Sequence, residues 1–176
     1  MAEWSGLTFC MGIVMARFLL LIFLMSGPLA AQDLSFRIAP TESCLWDSGH
    51  DGDKRACIGL AASACMEQPG GYSTVAMGYC LDQELSFWDG QLNDAYGQLM
   101  QAMRAADEGL PAHLAIQSSS LRDMQRAWIA YRDARCDHEA SLWQGGTGAS
   151  PAYLNCLMDE TAQQALYLGA LYSGEG

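Results

Sequence analysis

Seven cysteines stand in this chain, and the first falls in a segment that reads as an export signal, which leaves six for a disulfide framework. Arg17 precedes the apolar run Phe18 to Met25; Ser26 and Pro28 follow, then the small residues Ala30 and Ala31. That order of charged, apolar and cleavable regions predicts a signal peptide over residues 1–31 and a mature chain starting at Gln32. Met15 serves equally well as a start, and Cys10 is lost either way. The apolar run is shorter than the roughly 20 residues that a membrane span needs, and no cysteine stands at the cleavage point to carry a lipid. The expectation is a periplasmic or secreted product with no membrane contact after cleavage.

In an oxidising compartment Cys44, Cys57, Cys65, Cys80, Cys136 and Cys156 pair with one another rather than bind metal. Six cysteines allow fifteen pairings. Neighbours in sequence are favoured: Cys44 with Cys57, Cys65 with Cys80, and Cys136 with Cys156. The net charge is -11 and survives cleavage, because the leader holds one acid, Glu3, and one base, Arg17. Nucleic acid and anionic membranes are poor partners for such a surface, whereas a cationic protein is attracted from a distance. Solubility is the plainer use of the same charge.

Residues 32–53 read as irregular, with Pro40 and a run of Asp, Ser and Gly from Asp47 to Asp53. From residue 54 to 173 the pattern is helical. A short helix is predicted from Lys54 to about Glu67 and is ended by Pro69, Gly70 and Gly71. A long one follows from about Thr74 to Ala106, on which Leu81, Leu85, Trp88, Leu92, Tyr96, Leu99 and Met103 recur at spacings of three and four. A third is predicted over Leu121 to Trp143 with Ser120 and Asp123 as a capping pair. The last starts at Ser150 and Pro151. The fold class is all-α, a small disulfide-stapled bundle of about four helices.

On the third helix Leu121, Met124, Trp128 and Leu142 define an apolar face, and Gln125, Arg132 and Glu139 project onto it. A semi-buried Arg132 needs a carboxylate, and Asp89 on the long helix is the expected partner. The set either fixes helix register or forms a ligand pocket.

Two stretches carry a resemblance: Leu92, Asn93, Asp94, Ala95 and Tyr96, then Gln125 through Asp133 with Trp128 and Arg132 inside it. With Cys136, Glu139, Gly145, Gly146, Cys156 and Thr161 they resemble the LprI-type lysozyme inhibitor family over roughly Cys65 to Leu171. The chain departs from that pattern at Gln164, where the family usually has arginine, and Cys44 and Cys57 lie outside the shared core. The resemblance implies an exported helical protein that protects peptidoglycan by binding a cationic lysozyme-type enzyme.

Other motifs fail on chemistry. Asp47, Asp51 and Asp53 echo a calcium loop, but Ile58 stands where the bidentate glutamate belongs. His138 and Glu139 begin a zinc-protease pattern that Leu142 ends. His50, His113 and His138 are far apart, and no nucleophile, base and orienter come together, so neither cofactor nor enzymatic activity is expected. A structural or interaction module of the cell envelope is the alternative to an inhibitor. If lysozyme is the target, the Gly-rich connection Gln144, Gly145, Gly146 and Thr147 is the expected contact, steered by Asp133, Asp137, Asp159 and Glu160.

Overall fold

The computed structural model describes residues 34–49 and 52–174; the predicted signal peptide, His50 and Asp51 lie outside them. Five α-helices are present among the described residues: α1 (Ala39–Ser48), α2 (Leu60–Met66), α3 (Thr74–Asp107), α4 (Gln117–Ser141) and α5 (Ala149–Ser173). A single 3-10 turn, Lys54–Cys57, links the first two. The class is all-α, as the periodicity predicts, with one helix more.

That extra helix corrects the irregular reading of residues 32–53. Pro40 fits the first turn of α1, where a missing N–H costs nothing, and the inward side chains are Thr41, Cys44 and Leu45. Three residues give no apolar run long enough to register as periodic. The helix predicted over Lys54 to Glu67 is interrupted at Gly59, whose φ of 84° is left-handed. A residue with a Cβ pays for that conformation, so glycine divides the turn from α2.

The long helix α3 follows its sequence pattern. Ser73 caps it by accepting from the Ala76 N–H at 3.2 Å. Leu81, Trp88, Leu92 and Leu99 are buried, and Leu85, Tyr96 and Met103 pack beside them. Each such fully buried large side chain contributes roughly 1.5–3 kcal/mol. Leu121 of α4 and Met158, Ala162, Ala165 and Leu168 of α5 complete the core. Helices α3 and α5 make the largest interface, and Leu154 lies against Gly78. Helix α4 runs antiparallel to α5, since Gln125 meets Gln164 at one level and Cys136 meets Cys156 at another.

Two helix starts differ from the sequence signals. The capping pair Ser120 and Asp123 does not form, because α4 begins four residues earlier at Gln117. Asp107, the last residue of α3, supplies the cap: its carboxylate accepts from the Gln117 and Ser118 N–H groups at 3.0 Å each and from the Ser118 hydroxyl at 2.7 Å. Helix α5 begins at Ala149 with Gly148 as its cap and no side-chain hydrogen bond there, so Ser150 is already inside the helix. Leu142, expected in the core, is 65 % exposed because α4 ends before it.

The disulfides join Cys44 to Cys57, Cys65 to Cys80 and Cys136 to Cys156, the pairs that sequence neighbourhood favours. The first closes α1 onto the 3-10 turn, the second ties α2 to α3, and the third ties α4 to α5.

Candidate functional site

The most connected polar group is Glu84, a residue that lies on the same face of α3 as Leu81 and Trp88 and is fully buried. Its Oε1 accepts from the Thr41 hydroxyl at 2.9 Å, the Gly59 N–H at 2.8 Å and the Trp88 indole at 3.1 Å. Its Oε2 accepts from the Ala62 N–H at 2.7 Å. Thr41 in turn accepts from the Ala61 N–H at 3.1 Å. One carboxylate thereby caps α2, anchors α1 and orients the central tryptophan. Burying a charge of this kind is tolerable only with such a set of donors. In the sequence its one signal is a glutamate in phase with the apolar stripe of α3.

Arg132 does not meet Asp89. Its guanidinium lies 5.0 Å from the centroid of the Trp128 ring and donates through Nε and a terminal nitrogen to Asp133, the next residue, at 2.9 and 2.8 Å. Asp89 is exposed on α3 and accepts from Asn93, one turn on, at 3.0 Å. The expected pairing fails because Asp89 follows Trp88 by one residue, and a step of 100° carries it off the buried face. Leu92 is buried in the core, and Tyr96, half-buried, packs against that core and also lines a cavity with Met100 and Arg104.

Gln125 is buried, and its side-chain oxygen accepts from Gln164 of α5 at 2.9 Å. Gln164 therefore makes a neutral amide pair between α4 and α5. Below it Arg135 bonds Glu160 of α5 and, at 3.3 Å, Glu139 of its own helix. The Tyr131 hydroxyl and then the Glu160 carboxylate raise the Arg135 pKa further above its ordinary value, so it is charged at every working pH. Glu160 is buried in that bridge and Asp133 is held by Arg132, which removes both from the four acids expected to steer a partner. Asp137 remains exposed, and Asp159 accepts from Gln163 at 2.6 Å. A broad cleft of about 930 Å³ includes Leu45, Trp88, Gln91, Gln163 and Tyr167 in its walls. Of its polar walls Glu160 and Gln164 are engaged internally, while Asp53, Lys54 and Arg55 line it from the 3-10 turn.

Glu84, Gln125 and Gln164 are thus turned inward, and several large apolar side chains face solvent. At the turn between α4 and α5, Leu142 and Trp143 are exposed, and so are Gln144, Gly145, Gly146 and Thr147. Gln144 has φ 49° and Gly145 φ 81°, two left-handed residues in succession that reverse the chain. The Trp143 ring lies where a Cβ on Gly148 would stand, so only glycine lets the indole rest on the backbone there. Cys136 and Cys156 hold the two helices that carry this turn.

A family model described as lysozyme inhibitor LprI matches residues 65–168, more than half of the chain. An uncharacterised 17.7 kDa protein from the puhA 5′ region of Rhodobacter capsulatus is 24% identical over 139 residues, covering 77% of this chain and 86% of that protein. An uncharacterised protein of Rhizobium meliloti (strain 1021) is 30% identical over 121 residues, 65% of this chain and 87% of its own length. No solved structure matches at a significant level.

Proposed function

The chain belongs to the LprI lysozyme inhibitor family, and from that premise we propose that it works outside the cytoplasm, binding a lysozyme-type enzyme and so sparing peptidoglycan. The family match over residues 65–168 carries this reading. Three disulfides fit an oxidising compartment, where such an enzyme would be met. A net charge of -11 suits a basic target.

The contact proposed is the turn Gln144 to Thr147 with Leu142 and Trp143 beside it. An exposed indole and leucine supply apolar area, and two disulfide-held helices lower the ordering cost of presenting them. The test is direct: the purified, oxidised protein is mixed with a basic lysozyme and lysis of cell-wall substrate is followed. Dose-dependent slowing is expected. Unchanged lysis, with no association by calorimetry, would leave a non-catalytic envelope module in place of an inhibitor.

A further inference from the structure

Trp46 is 87 % exposed, more than any other large apolar side chain among the described residues. It stands on the solvent face of α1, a helix whose inward face is fully used: Thr41 bonds Glu84, Cys44 bonds Cys57, and Leu45 packs against the core. The helix cannot turn to bury Trp46 without breaking all three. At 100° per residue, Glu42 lies about 40° to one side of Trp46 and Asp47 about 100° to the other, and both are exposed. Helix α1 carries no base. The cations on either side of it are Arg37, two residues before the helix, and Lys54 and Arg55 of the following turn, where Arg55 faces Asp53 at 3.9 Å.

An indole in water with a carboxylate on either side of it around the helix has the chemistry to receive a cationic side chain. The ring face attracts the cation, and the flanking carboxylates take its N–H groups as charge-assisted hydrogen bonds. Tryptophan is also the residue type that most often dominates a protein interface, because it brings large area at little entropy cost. We infer that the Glu42, Trp46 and Asp47 face of α1 is a second contact surface, which receives an arginine or lysine side chain of the basic lysozyme-type partner. The inference rests on the lysozyme-binding reading, and it lies outside the segment that the family model covers, which begins at residue 65. The contact therefore belongs to the N-terminal segment stapled by Cys44 and Cys57, and it would let this chain choose among basic partners.

The test uses the oxidised full chain and a basic lysozyme, with binding followed by calorimetry and by association rate at two salt concentrations. Trp46→Ala should weaken binding at least about tenfold with unchanged melting, since the side chain is almost wholly in water. Trp46→Phe should recover part of that loss. The pair Glu42→Gln and Asp47→Asn should slow association and flatten its salt dependence. If the unaltered protein binds and Trp46→Ala binds equally well, this surface is overturned while the inhibitor reading stands. If the unaltered protein binds no basic lysozyme, both fall together.

Discussion

The hydroxyl of Thr41 donates to Oε1 of Glu84 across 43 residues of sequence, and neither side chain has any exposed surface. Through that bond and the N–H groups of Gly59 and Ala62, the first sixth of the described chain is hung on α3. Glu84→Ala would strand four donors, three of them buried, at a cost on the order of 3 to 5 kcal/mol. Glu84→Gln should cost less, about 1 to 3 kcal/mol, because an amide oxygen in place of Oε1 keeps three donors and only the Ala62 N–H meets an NH2 group. Thermal unfolding separates the two. A Glu84→Ala variant melting with the parent would mean the network is ornamental.

Removing the Cys44 to Cys57 bridge by paired serine substitution should cost about 3 kcal/mol, as expected for a loop of 13 residues. The loss should be local. Hydrogen exchange is expected to quicken over α1 and the 3-10 turn while the amides of α3, α4 and α5 keep their protection. Uniform quickening would show instead that the N-terminal segment folds as one unit with the bundle.

The contrast between α3 and α1 explains which parts of the fold can be read from residues alone. Helix α3 announces itself because seven apolar side chains recur on one face, and the disulfide pairs follow from short loops between consecutive elements. Helix α1 has only Thr41, Cys44 and Leu45 to point inward, so its helicity depends on Glu84 and Cys57, both distant in sequence. The Asp107 cap is hidden for the same reason, since it reaches over a nine-residue connection to Ser118. Arg132 was legible as a semi-buried cation; the 100° step from Trp88 already disfavours Asp89 as its partner, and only the folded structure brings Asp133 into its place. Glu84 could have been found, because a carboxylate in phase with Leu81 and Trp88 demands donors.

Asp107 makes stability depend on acidity. The Ser118 backbone N–H, then its hydroxyl, and with them the Gln117 N–H, hold the carboxyl below its ordinary value of 3.8. A depressed folded value means the cap stabilises fully above the unfolded pKa and fades as pH falls through the folded one. Asp107→Asn should therefore melt lower than the parent at neutral pH, and the gap should close below about pH 4. A gap that is constant across pH would assign the effect to shape rather than to charge.

Arg132 should matter little to folding. Its partner Asp133 is adjacent and half-exposed, which screens the pair, and the stacking on Trp128 is worth about 0.5 to 1 kcal/mol. Arg132→Ala is expected to cost about 1 kcal/mol, and Arg132→Met less, because methionine still covers the indole. Asp89→Ala should leave melting unchanged. A double-mutant cycle between positions 89 and 132 giving coupling above about 0.5 kcal/mol would contradict the arrangement described.

The turn after α4 offers the sharpest functional test, because its surface can be altered without touching the core. Thr147 is exposed and, among the described hydrogen bonds, its side chain makes none, so Thr147→Arg adds a cation at no structural cost. Against a basic lysozyme the added charge should weaken inhibition about tenfold or more and slow association most at low salt. Gly148→Ala acts differently. The new methyl group occupies the place of the Trp143 ring, which must swing away from the backbone, so inhibition should fall through lost apolar contact with little salt dependence. Melting should stay close to the parent in both, since Trp143 is half in water already. Full inhibition by both variants would move the contact away from this turn, and the acid-flanked face of α1 would then have to account for binding alone.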